Sequence, residues 1–143
     1  MIPEFTDGLN LPVGAHLCLW AELVDRFCFG TTREVLCREL RNFFDRANDC
    51  GFRKVLIWGS FPTAKPNPRD LDLLFVLPRG MTQEGLEPGC AELLDHIRCK
   101  DRYGHDFFIC YEGTEGFVQL SEGFSYDRNG RRRGVLLLDL PCQ

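Results

Sequence analysis

Residues 58–76 read WGSFPTAKPNPRDLDLLFV. A Gly-Ser pair closes one apolar run, a loop with three prolines and Lys65 follows, and Asp70 and Asp72 flank a leucine at the head of a second apolar run. Short apolar runs bounded by glycine and proline read as buried strands. The stretch therefore predicts strand, loop, strand, the first at "RKVLIW" and the second from about Asp70 to Leu77. Side chains alternate along a strand, so Asp70 and Asp72 share one face with attachment points roughly 6.6 Å apart. Leu74 and Val76 continue that face into the core, while Leu71 and Leu73 point the other way. Like charges held close at the mouth of a buried strand repel unless a cation or hydrogen bonds compensate.

Working outward, "TTREVLCRELRNFFDRANDCG" is the clearest helix. Thr31 with Glu34 has the form of a capping box, Gly51 is a natural stop, and Val35, Leu36, Leu40, Phe43, Phe44 and Ala47 make one apolar stripe. Its basic residues Arg33, Arg38, Arg41 and Arg46 alternate with acids and read as a solvated face. Before it, residues 1–14 look like an extended lead-in, and "AHLCLWAELVDRFCF" like a short helix or irregular arm over the core, with His16 as packing or surface. After it, "CAELLDHIRCK" fits a second helix, "HDFFICY" a third strand, and "FSYDRNGRRRGVLLLDL" a hairpin turning at Asn129-Gly130. This order predicts an α/β (α+β) chain, a mixed sheet flanked by helices with a C-terminal β-hairpin. The expected organisation is one domain over 1–143, with an arm at 1–30, a core at 31–110 and a C-terminal extension at 111–143.

A chain of 143 residues with formal net charge −4 does not advertise bulk binding to a polyanion. No run is long and apolar enough to cross a bilayer and no basic segment leads into an apolar one near the start, so a cytoplasmic protein with no membrane partner is expected. Eight cysteines without a C-x-x-C pair are expected to be reduced and mostly buried.

The chemistry gathers around the aspartates. Asp106 opens "DFFIC" in the same relation to apolar residues that Asp72 has to "LLFV". If the two strands are neighbours, three carboxylates meet at one sheet edge. Magnesium suits such a site because it takes few protein carboxylates and fills its other positions with water and substrate phosphates. Two ions roughly 3.5 to 4 Å apart can align an attacking oxygen and a leaving phosphate. Gly59 lets the backbone approach a ligand closely, and a turn into a short helix there would present free N–H groups, with the Ser60 hydroxyl, to a phosphate. Lys65 reads as a phosphate partner or a solvated lysine. Arg131, Arg132 and Arg133 read as a solvated turn flank in preference to a patch contacting triphosphate or nucleic acid. Phe107, Phe108, Phe117 and Phe124 read as core in preference to base-stacking platforms, and contact of His105, next to Asp106, with the metal site is the disfavoured reading.

The pattern Gly59-Ser60, nine residues, Asp70-Leu71-Asp72, then Asp106 at the head of a later strand resembles the DNA polymerase beta-like nucleotidyltransferase superfamily, especially its minimal bacterial members. The likeness implies a nucleotidyltransferase fold and two Mg²⁺ ions held by Asp70, Asp72 and Asp106. It also implies a nucleoside triphosphate, ATP first, held by Gly59, Ser60 and Lys65. It further implies transfer of a nucleoside monophosphate to a protein hydroxyl or an RNA end, in the setting of a toxin–antitoxin or defence pair. The alternative is a non-catalytic module of the same fold that neutralises a partner protein by contact. Where many minimal members carry Arg-Gly after the Gly-Ser, this chain has "FPTAK", so Lys65 would stand in as the triphosphate contact or that contact would be missing.

Overall fold

The computed structural model describes residues 1–114 and 126–142. Among them, one mixed sheet is built from β1 (Gly14–Leu17), β2 (Lys54–Trp58), β3 (Asp72–Leu77), β4 (Asp106–Tyr111) and β5 (Gly134–Asp139), in the order β1-β5-β2-β3-β4. Strand β2 runs antiparallel to both β3 and β5, whereas β3 and β4 are parallel, as are β1 and β5. Four helices accompany it: α1 (Trp20–Phe27), α2 (Gly30–Asp49), α3 (Pro88–Leu93) and α4 (His96–Tyr103). The mixed α+β class expected from the element order is what is observed.

The period-two pattern of β3 sorts its side chains as the sequence predicts. Leu71, Leu73, Phe75 and Leu77 join a core with Leu23 and Phe27 of α1, Leu36, Leu40, Phe43, Phe44 and Ala47 of α2, Leu93 of α3 and Cys99 of α4. Leu74 and Val76 enter a separate cluster on the opposite face with Leu56, Cys110 and Val135. Asp72, in phase with Leu74, therefore stands on the face away from the helices.

Several expectations are corrected. Helix α2 starts at Gly30, with Phe29 as a cap that makes no side-chain hydrogen bond, so Thr31 and Glu34 are its second and fifth residues and form no capping box. Val35 is 43% exposed and drops out of the stripe. The segment 90–100 is not one helix, because the Asp95 carboxylate accepts from the Arg98 N–H at 3.0 Å and starts α4 afresh. The Asn129-Gly130 turn is present, held by Asp127 Oδ1 accepting from the N–H groups of Asn129 and Arg131 at 2.8 and 2.9 Å, but a single Tyr126–Arg132 bridge flanks it. The returning strand instead inserts between β1 and β2, where both its edges find partners. Phe117 and Phe124 lie outside the described residues. No helix among the described residues is long and apolar enough to cross a membrane.

The expectation of uniformly reduced cysteines also fails. Cys28 is bonded to Cys37 and Cys50 to Cys90, while Cys18, Cys99, Cys110 and Cys142 are free thiols. The turn between α1 and α2 folds Cys28 back onto the first turns of α2, and the α2–α3 packing brings Cys90 to the end of α2. Neither approach is visible in cysteine spacing.

Candidate metal and ligand site

Strand direction assembles the site. Because β3 and β4 are parallel and β2 opposes them, the heads of β3 and β4 lie at the same sheet edge as the end of β2. Asp72 is the register partner of Asp106, and the Asp106 N–H donates to the Leu71 carbonyl at 3.0 Å, so the two carboxylates stand side by side on one face. Across the antiparallel pair Asp72 faces Trp58, which places Gly59 directly beside its carboxylate. Asp70 precedes the strand proper and remains partly exposed.

Gly59 is required here for a reason the sequence does not reveal. Its φ is +79°, and a Cβ built on it would overlap the Asp72 carboxylate and lie 2.9 Å from Cγ. The missing side chain makes room for a protein carboxylate. After Gly59 the chain makes a turn, not the expected short helix, and Thr63 Oγ1 donates to the Ser60 carbonyl at 2.6 Å to close it.

The electrostatics are those of crowded acids. Burial, reinforced by Asp70 and Asp106 and by a hydrogen bond to Asp106, pushes the Asp72 carboxyl up to about 7, with Lys100 opposing the shift. Lys100, on α4, sets its Nζ 3.1 Å from Asp106 Oδ2 and 3.7 Å from Asp70 Oδ2. Sequence reasoning missed this residue; its only signal was a lysine six residues before Asp106. His96 stacks on Phe108 with ring centroids 4.3 Å apart and holds Nε2 3.9 Å from Asp106 Oδ1. His105 does not reach the cluster: it is buried beside Phe43 and Phe107 and accepts from the Leu71 N–H at Nδ1, 3.0 Å away.

Arg33 overturns the solvated reading of the α2 basic face at one position. It is 0% exposed and donates to the carbonyls of Phe27, Phe61, Thr63 and Lys65, with the shortest bonds 2.6 Å to Lys65 and 2.7 Å to Thr63. Among the described residues no carboxylate pairs with it, and burial pulls the guanidinium down to about 10, still charged at neutral pH. A buried cation satisfied by carbonyls clamps the loop that carries Thr63 and Lys65.

All six predicted site residues, Gly59, Ser60, Lys65, Asp70, Asp72 and Asp106, line one cavity of about 620 Å³. Two further walls come from segments that sequence reasoning kept apart from the core. Leu9 and Asn10 arrive from the N-terminal arm, held by an Asn10–Thr63 bridge and by the Ala64 N–H donating to the Leu9 carbonyl at 2.9 Å. Tyr126, Asp127, Arg128, Asn129 and Arg133 arrive from the last turn, so Arg133 is not the solvated flank expected of it, whereas Arg131 and Arg132 are exposed.

The donor set fits magnesium. Three carboxylates of one edge open on a cavity with room for waters and phosphates, and the raised Asp72 carboxyl marks a cluster short of positive charge. Among the described residues the side chains are not closed into a ready metal cage. The Asp72 carboxyl is hydrogen-bonded to Asp106, and Asp70 faces Lys100.

Over residues 3–139 the chain matches the model of a family described as a family of unknown function (DUF6932). No curated protein and no solved structure matches it.

Proposed function

The chain belongs to the DUF6932 family, and for this member we propose a Mg²⁺-dependent nucleotidyltransferase built on a nucleotidyltransferase fold, moving a nucleoside monophosphate from a triphosphate, ATP first, to a protein hydroxyl or an RNA end. The observation that carries the reading is the register pairing of Asp72 with Asp106 at the mouth of the cavity, with Asp70 beside them and Gly59, Ser60 and Lys65 on the same wall. Asp70 and Asp72 would hold both ions and Asp106 the one nearer the acceptor. Bound magnesium would neutralise the triphosphate and favour in-line displacement.

The chain's own groups do the rest. Ser60 and Lys65 bind triphosphate oxygens, and Arg33 keeps their loop in place. Asp106 accepts the proton of the acceptor hydroxyl, whose oxygen bonds to the α-phosphorus as the bond to the bridging oxygen breaks and pyrophosphate leaves. Preorganised charge at the cavity mouth supplies most of the barrier reduction. A toxin–antitoxin or defence pair would supply the acceptor.

One observation favours a second reading. Lys100 already neutralises Asp70 and Asp106, as in a module that has given up its cation and acts on a partner protein by contact. Incubating the protein with α-labelled ATP, Mg²⁺ and cell extract separates the two. Label transfer that Asp72→Ala abolishes while the fold persists supports the enzyme. Wild-type protein that labels neither protein nor RNA overturns it.

A further inference from the structure

His105 precedes Asp106 in the chain, but its ring bonds to the backbone between the other two aspartates. Its Nδ1 accepts from the Leu71 N–H at 3.0 Å, a buried bond, and Leu71 is the residue that separates Asp70 from Asp72. An amide N–H only donates, so Nδ1 carries no proton and the ring proton is on Nε2. The ring is itself held, edge-on to Phe43 at 5.9 Å and stacked with Phe107 at 6.0 Å between centroids. Nε2 lies 3.3 Å from Glu39 Oε2 without completing a hydrogen bond.

The strand ladder explains why a side chain is needed at this place. The Asp106 N–H donates to the Leu71 carbonyl at 3.0 Å, at the head of the parallel β3–β4 pairing. One step further back, that ladder would take the Leu71 N–H to the carbonyl of Gly104. Gly104 instead ends α4 at φ +75°, and its carbonyl accepts from Lys100 Nζ at 3.5 Å. His105 Nδ1 stands in for the lost carbonyl. Upstream, Pro66 and Pro68 have no N–H, and among the described residues no backbone hydrogen bond holds 66–70. The segment carrying Asp70 is therefore secured at Leu71, through its carbonyl, its buried side chain and the bond to His105.

We propose that His105 is a positioning residue of the metal site. It holds Leu71, and through it Asp70 and Asp72, against the head of β4 where Asp106 stands, and touches neither metal nor substrate. This rests on the Mg²⁺ site of the nucleotidyltransferase reading and names what keeps its three carboxylates together. Without the acceptor a buried N–H is left unpaired, and the head of β3 is free to part from β4. Groups that orient metal ligands from behind typically govern metal affinity by about tenfold or more.

The test compares wild type, H105L and H105N. Leucine and asparagine share one branched shape, but only asparagine places an acceptor where Nδ1 stands. By calorimetric titration H105L should bind Mg²⁺ about tenfold more weakly than wild type, and H105N should recover most of that loss. A merely structural role would lower both melting temperatures and leave the two Mg²⁺ affinities equal; equal affinities in H105L and H105N overturn the assignment. A long-range ¹H–¹⁵N spectrum of wild type should show His105 protonated at Nε2 and bare at Nδ1. That measurement needs no variant to fold, and a proton on Nδ1 overturns the assignment by itself. Either of these results leaves the nucleotidyltransferase reading standing, whereas wild type that binds no Mg²⁺ overturns that reading and the role of His105 with it.

Discussion

Gly59 and Asp72 occupy one space: the side chain that the first lacks is where the second keeps its carboxylate. Replacement of Gly59 by alanine therefore adds two penalties, a β-carbon at φ +79° and displacement of Asp72. The backbone part costs about 1–2 kcal/mol. We expect G59A to remain folded with a lowered melting temperature and at least about tenfold weaker Mg²⁺-dependent ATP binding. Wild-type affinity in G59A would show that the Asp72 position is immaterial.

Asp72 makes stability fall as pH rises. Its carboxyl is raised from 3.8 to about 7 in the fold, so between those values the native state holds a proton that the unfolded chain has released. The contribution is complete below about 3.8 and is lost as pH passes about 7. In chelator, D72N should melt higher than wild type at pH 8, with a flatter profile between pH 4 and 7, as read by thermal denaturation. Added Mg²⁺ should raise the wild-type melting temperature at pH 8 and leave that of D72N nearly unchanged.

Removing Arg33 strands the buried carbonyls of Phe27, Phe61 and Thr63. R33L should lose on the order of 3 kcal/mol, since several buried acceptors are left unpaired at once. Limited proteolysis should then cut between residues 61 and 69, the loop that the guanidinium ties down. An R33L protein as stable as wild type, with that loop still resistant, would contradict the clamp.

Lys100 is half exposed, so its ion pairs contribute at most about 1 kcal/mol to folding. K100M should change the melting temperature little in chelator but enlarge the stabilisation by Mg²⁺, because two carboxylates lose their resident countercharge. Calorimetric titration of the metal measures it. Weaker Mg²⁺ binding in K100M would show that the ammonium supports the cation site instead of competing with it.

The disulfides predict a thiol count. Alkylation of the denatured, unreduced protein should modify four cysteines, and eight after reduction. Of the two bonds, Cys50–Cys90 spans 40 residues against 9 for Cys28–Cys37, so breaking it should cost about 1 kcal/mol more by loop entropy. Denaturant titration of C50S/C90S and C28S/C37S gives the comparison.

Local pattern was enough for much of this chain. The alternation in "DLDLLFV" separated the Asp72 face from the Leu73 face, the stripe of α2 located its buried side, and the repeated aspartate-then-apolar motif singled out Asp106. Each of these depends on residues a few positions apart, whose relation is set by backbone geometry alone. The rest required strand order. Only the insertion of β5 between β1 and β2 carries Arg133 and the arm residue Asn10 to the edge where the aspartates stand. Arg33 was legible as a basic residue on a helix, but its burial depends on a loop thirty residues away folding over it. The sequence by itself determined β2, β3, β4, the body of α2 and the acidic pair; the tertiary structure decided the remaining elements and which distant polar groups share the cavity, because those contacts come from chain crossings that no local periodicity encodes.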